Sequence, residues 1–245
     1  MKVNKSDSSK KPGFFMGYSL LVLILFLVLS LGFLPFVILA RLLFFYFDFS
    51  VIWMWLLLPF AIYIGLAVIL FSEILVSGLF IRIFHIYYKP GVYEYSFKDK
   101  NSFKWILVCS LYTPFRKIME IVPVGGLKNL YFRLLGMKIG ENTLVGGVIK
   151  DPCVTSFGKN TTMGEYAIIY GHIQDFSKGT LMVKPVKIGD NCMIGAGAIL
   201  MPGATVEDDV SIAAGAVVTS NQVLKKGKIY AGIPAKEIII KKSRS

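Results

Sequence analysis

The chain has 245 residues, 55% of them apolar, and a mean hydropathy of +0.63, which excludes a single soluble globule and puts part of it in lipid. Lysine and arginine outnumber aspartate and glutamate by 27 to 15, a surplus that suits anionic lipid headgroups or an anionic small molecule. The basic residues are scattered among apolar ones with no recognition motif, which argues against nucleic acid as a partner.

Residues 1–13 form a basic arm carrying Lys2, Lys5, Lys10 and Lys11. From Phe14 to Ala40 there is no charged residue, and from Val51 to Ile81 only Glu73, so both runs exceed the ~20 apolar residues that cross a bilayer as helix. The first run is too long for the core of a signal peptide and has no small-residue cleavage site after it. The link Arg41 to Ser50 is short, so residues 14–85 read as a two-helix transmembrane hairpin. Arg82, Lys89, Lys98, Lys100 and Lys104 follow the second run, and with the basic arm they put both termini on the cytoplasmic side of a cell membrane. Glu73 reads as a solvated glutamate at the interface rather than an intramembrane functional acid. His85, beside Phe84, Tyr87 and Tyr88, reads as part of an aromatic belt.

Residues 86–138 mix Phe103, Trp105, Ile106, Leu107, Leu111 and Tyr112 with Lys104, Arg116 and Lys117. That run is too short to cross and suits an amphipathic linker lying on the inner leaflet.

From Ile139 an apolar column recurs every six positions: Ile139, Val145, Asp151, Phe157, Met163, Ile169, then Ile188, Ile194, Leu200, Val206, Ile212 and Val218. Asp151 is its one polar member. Glycine follows the column at 140, 146, 158, 164, 189 and 195, and a second column of mostly small or β-branched residues lies four places on. No helix has this period; a short strand and a tight turn do, three such units closing one triangular coil and successive coils pairing as parallel strands. The fold class expected is membrane α plus all-β, with a parallel β-helix over 139–224 and a C-terminal cap and basic tail over 225–245. Ile169 to Ile188 is nineteen residues, one more than a multiple of six, so a loop is expected at 175–187, where function collects. Cys192 falls in the small column; Cys109, Cys153 and Cys192 are too few for a disulfide framework and too far apart for a CxxC pair, and read as reduced packing residues.

The stretch Ile188 to Lys236, with its run IGDNCMIGAGAILMPGATVEDDVSIAAGAVVTS and then AGIPAK, resembles the hexapeptide-repeat acetyltransferases of the maltose and galactoside type. YGHIQDF matches that group's His-x-x-Asp at His172 and Asp175. YKPGVYEYS at 88–96, Trp105, and YFRLLGMKIG at 131–140 resemble membrane-bound repeat domains at the end of some single-module nonribosomal peptide synthetases. Met193 stands where the soluble acetyltransferases commonly carry tryptophan. The resemblance implies a left-handed β-helix, a homotrimer with active sites between neighbouring repeat domains, and acyl-CoA, acetyl-CoA above all, as cosubstrate with no permanently bound cofactor.

Acyl transfer from a thioester needs a base for the nucleophile's proton, and imidazole suits that task near neutrality. His172 is the only histidine of the repeat and the expected base, with Asp175 or Glu165 fixing its tautomer. Gly195, Ala196, Gly197, Ala213, Ala214 and Gly215 supply turns open enough for a pantetheine arm, and Lys225, Lys226, Lys228 and Lys236 are placed to meet CoA phosphates. The γ-type carbonic anhydrases share this fold but hold a metal with three histidines, and the chain has two in all, so no metal site is expected. A carrier-protein thioester as donor, and a nonenzymatic scaffold or subunit of a membrane complex, are the competing readings. The acceptor expected beside the inner leaflet is a lipid-linked or polysaccharide precursor, with a small amine or peptide as the alternative.

Overall fold

A computed structural model describes residues 12–48, 50–122 and 125–239; Lys2 to Lys11 of the expected arm, and the tail from Ile240 onward, lie outside the described residues. The chain divides into two compact units, Met1–Ile86 with Ile106–Val122, and Tyr87–Trp105 with Pro123–Ser245.

In the first unit, α1 (Pro12–Tyr46) and α2 (Ile52–Ile83) form a helical hairpin, each long and apolar enough to cross a membrane. Much of their apolar surface faces outward, as at Phe26, Phe44, Leu56 and Phe60. Small and polar groups take part in the contact between them: Ser72 Oγ donates to Gly32 O at 2.6 Å, and a Cβ on Gly32 would strike the Glu73 carboxylate. Glu73 is therefore buried at 5% exposure, not solvated as expected, because glycine opposite leaves room for its side chain between the helices. His85 follows the C-cap of α2. Its φ of 49° lies in the left-handed region, and Ile86 N donates back to Ile81 O at 2.9 Å, closing the last turn.

In the second unit, β1 (Gly91–Glu94) leads to α3 (Lys100–Ile121), whose start is capped by Asp99 accepting from Ser102 N at 2.8 Å. From Ile106 to its end, α3 belongs to the first unit. The short helix α4 (Gly125–Leu134) is stopped by Gly136, with φ 91°, and Tyr131 and Phe132 of the helix and Leu135 just after it are completely buried. Its Lys128 donates to Gly146 O and Gly147 O at 3.0 and 2.9 Å, covering the first turn of the repeats.

The repeats wind through three parallel sheets in turn. Lys187 pairs with Thr205, Met193 with Ser211 and Ile199 with Val217, each eighteen residues on, so one coil takes three hexads. Inside run three buried columns: Ile139, Phe157, Ile188, Val206, Leu224; Val145, Met163, Ile194, Ile212, Tyr230; and Ile149, Ile169, Leu200, Val218. Thr143 and Thr161 occupy the small column, where Thr161 Oγ1 donates to Gly189 O at 2.9 Å and accepts from Cys192 N at 3.0 Å. At one corner Asn142, Asn160, Asn191 and Asp209 all take left-handed φ, and their side chains hydrogen-bond from coil to coil at 3.0–3.3 Å. The last coil closes where Ile229–Ala231 pairs antiparallel with Lys236–Ile238.

Two features differ from the six-residue expectation. The register slips a first time before Asp151: Ile149, not Asp151, fills the third buried column, pairing with Ile169. The cause is the tight Gly146–Gly147 turn, where a Cβ on Gly147 would meet Met163 Cε at 2.5 Å, so the chain reaches the third face two residues early. The second slip is not a loop from 175. It is a hairpin of His172–Asp175 and Thr180–Val183, and β1 adds to its far strand with Gly91 opposite Val183.

The glycines beside the apolar column serve close approach, not positive φ. At Gly158 a Cβ would lie 2.6 Å from the Gly189 carbonyl carbon of the next coil. Gly158→Ala should therefore force adjacent coils apart and destabilise the unit by about 1–3 kcal/mol, the cost of overpacking, read as a lowered midpoint in chemical denaturation.

Candidate active site

Asp151 and His172 lie at the same corner of successive coils, each just beyond a strand of the third face (Val148–Ile149 and Ile168–Ile169). A 3-10 turn, Pro152–Val154, follows Asp151, and Thr155 Oγ1 donates to Asp151 O at 2.8 Å, so its backbone is held as well as its carboxylate. Gly171 brings the next coil close: a Cβ there would lie 2.7 Å from both Asp151 Cβ and Val154 Cγ2.

The Asp151 carboxylate is fully buried and accepts four hydrogen bonds. Oδ1 accepts from Tyr88 Oη at 2.9 Å and from Trp105 Nε1 at 3.1 Å. Oδ2 accepts from Gly171 N at 2.8 Å and from His172 Nδ1 at 2.7 Å. A carboxylate so supplied with donors stays an acceptor, which puts the imidazole proton on Nδ1 and leaves the Nε2 lone pair free of any protein partner among the described residues. The His172 side chain is 18% exposed, enough for a ligand atom to reach it. Around it stand Trp105, with ring centroids 4.7 Å apart at 65°, and Tyr170 at 6.5 Å. Tyr95 packs edge-on against both Trp105 and the exposed Phe176 of the hairpin tip.

Neither of the two carboxylates expected to orient His172 does so. Asp175 turns into the hairpin tip, where Oδ1 accepts from Ser177 Oγ at 2.6 Å, Ser177 N at 3.0 Å and Lys178 N at 3.1 Å. The Ser177 hydroxyl first, then the Lys178 ammonium 3.2 Å from Oδ2 and the Lys178 N–H, lower its pKa from 3.8 to about 2. Its support of the turn is thus fully present above about pH 4 and fades as pH falls through about 2. Glu165 is exposed in the turn before Ile168, on the opposite edge of the third face from His172. Its carbonyl accepts from Gly197 N at 3.0 Å, and the Ala196 carbonyl accepts from Gly215 N at 2.9 Å. So Glu165 stacks in one column with the turns of Gly195, Ala196 and Gly197 and of Ala213, Ala214 and Gly215.

Of the lysines, Lys225 pairs with Glu207, Lys226 with Asp208 and Asp209, and Lys228 with Glu237, so these ammonium groups already have carboxylate partners. Lys236 is exposed on the last strand. Burial pushes the Cys153 thiol up to about 12, which keeps it protonated and unreactive beside Tyr88. Among the described residues no group of three or more His, Cys, Asp or Glu is arranged to hold a metal ion.

Asp151, Tyr88 and Trp105 are the members that sequence reasoning did not assign. The signal for Asp151 was present, as the one polar residue in the apolar column. Tyr88 and Trp105 lie 63 and 46 residues upstream of Asp151, and no spacing rule joins them to it.

The family of the hexapeptide repeat of succinyl-transferase matches residues 185–220. The chain is 32% identical over 130 residues to the putative acetyltransferase YvoF of Bacillus subtilis (strain 168), a match covering 51% of this chain and 73% of that protein. It is 30% identical over 105 residues to the mitochondrial gamma carbonic anhydrase 2 of Arabidopsis thaliana, covering 41% of this chain but only 33% of the relative. Among solved structures it is similar to a maltose O-acetyltransferase from Clostridium difficile 630, with a TM-score of 0.43, 20% identity, and coverage of 55% of this chain and 86% of that one.

Proposed function

The chain belongs to the hexapeptide-repeat acyltransferase family, and from that premise we propose that it is a membrane-anchored acetyltransferase using acetyl-CoA, with His172 as general base. The observation that carries the reading is the Asp151–His172 pair, which supplies an imidazole with its tautomer fixed and its Nε2 unengaged. Nε2 takes the proton of an acceptor hydroxyl or amine as the oxygen or nitrogen attacks the thioester carbonyl. The tetrahedral oxyanion collapses, the carbon–sulfur bond breaks, and the imidazolium returns the proton to the departing CoA sulfur. Buried Asp151 stabilises that imidazolium between the two transfers.

The donor arm is proposed to run along the column of small turns at Gly195–Gly197 and Ala213–Gly215. Within one chain these turns precede the third face and His172 follows it, so the two lie on opposite edges. The face between them carries a stack of outward β-branched residues, Val148, Ile168, Ile199 and Val217, in register. Packing three such apolar faces around one axis covers them and sets the His172 edge of one copy beside the small turns of the next, which supports a homotrimer with shared sites. Left-handed winding of the coils belongs to the same reading.

Membrane anchoring is supported by the outward apolar surfaces of α1 and α2, and adhesion to anionic lipid by the excess of lysine and arginine. A cytoplasmic repeat domain would meet acetyl-CoA there, and an acceptor held at the inner leaflet, lipid-linked or polysaccharide, would meet the same site. The test is release of free CoA thiol by detergent-purified protein given acetyl-CoA and candidate acceptors, with mass analysis of the product. An acetylated acceptor is expected. Absence of both CoA binding and thiol release with every acceptor would overturn the assignment.

A further inference from the structure

We propose that Tyr88 and Trp105 are positioning residues for His172, acting through Asp151. The inference rests on the reading of His172 as general base and extends the working site beyond the repeats, into the segment before them.

The two Asp151 oxygens are divided by origin. Oδ2 meets donors of the coil itself, Gly171 N and His172 Nδ1, whereas both donors on Oδ1 come from the segment Tyr87–Trp105. With all four donors in place the carboxylate plane has one orientation, and that orientation aims Oδ2 at Nδ1. Without the outer pair, Oδ1 would be a buried oxygen with no partner, and the carboxylate would turn to find one. Trp105 acts twice: its Nε1 holds Oδ1, and its ring lies 4.7 Å from the imidazole centroid, limiting rotation of His172 about its own side chain.

The segment itself is fixed in register with the hairpin that bears His172. Gly91, Val92, Tyr93 and Glu94 pair with Val183, Met182, Leu181 and Thr180, and His172 is paired with the same Val183 from the other side. Tyr95 N, next after β1, donates to Gly179 O of the hairpin at 2.8 Å, and Lys104 Nζ donates to Tyr87 O at 3.2 Å, joining the two ends of the segment to each other. Such ties give the phenol and the indole set positions rather than a loose approach.

The experiment uses full-length protein in detergent carrying His85→Asn, a substitution that suits the left-handed backbone at that position and leaves His172 as the single imidazole of a chain with two. Nitrogen-15 histidine spectra in alkaline buffer then report the tautomer of one residue. The expected result is a single Nδ1–H form in this background. Tyr88→Phe or Trp105→Phe, each keeping an aromatic ring, should admit the Nε2–H form and lower kcat by about 10–100-fold, the range for loss of an orienting partner of a functional histidine, with KM for acetyl-CoA unchanged. Appearance of the Nε2–H form in either variant supports the proposal, with circular dichroism confirming that the variant is folded. An unchanged Nδ1–H form in both folded variants overturns the proposal, whatever happens to turnover. A lost tautomer with undiminished turnover upholds the positioning and instead removes His172 from the role of base.

Discussion

Replacing His172 with alanine should lower kcat for acetyl transfer by about 10²–10⁴-fold, the usual contribution of a positioned general base. The acetyl-CoA dissociation constant should stay within about twofold, because the small turns, and not the imidazole, are proposed to hold the donor. The unit should remain folded: the ring is partly exposed, and its loss leaves Asp151 with three of its four donors. Equilibrium binding of acetyl-CoA measured beside single-turnover kinetics separates the two effects. Undiminished turnover in His172→Ala would end the base assignment.

Asp151→Asn should be nearly as damaging to turnover, by about 10²-fold or more, and should also destabilise the fold. The amide has one oxygen and one NH2 where the carboxylate has two acceptors, yet four donors converge on the side chain. Whichever way the amide is turned, its nitrogen meets two N–H or O–H groups. If it faces Nδ1, the imidazole can accept only by moving its proton to Nε2, which removes the base. If it faces the other side, Tyr88 can rotate its hydroxyl but Trp105 cannot redirect Nε1. Each buried donor left without a partner costs about 1–3 kcal/mol. Kinetics together with a denaturation midpoint tests both halves, and a variant with wild-type turnover would show that Asp151 serves only the fold.

The coils are plain in the sequence because the hexad has one physical solution: alternate inward residues, a turn, and an apolar column that nothing but stacking buries. Their phase is harder to read. Ile149 and Asp151 exchange apparent roles because the chain shortens one turn at Gly146–Gly147, and both alternatives keep the six-residue count elsewhere. The proposed base is legible as the lone histidine of the repeat. Its partner is not, since His-x-x-Asp spacing favours Asp175, whereas a strand sends alternate side chains apart and the tip hydroxyl of Ser177 claims that carboxylate. Glu73 misleads for a related reason: its burial depends on Gly32, a residue forty positions from its neighbour Ser72, which bonds to the same glycine.

The antiparallel strand Gly91–Glu94 has a consequence for the order of events as the chain is made. Its partner Thr180–Val183 is synthesised only after both long helices and the first two coils, so through that interval its edge has no neighbour. The proposed centre therefore stays incomplete until residue 183 has been added, and a nascent chain arrested before residue 180 would carry the first two coils without the strand that ties Tyr88 and Trp105 to the hairpin of His172.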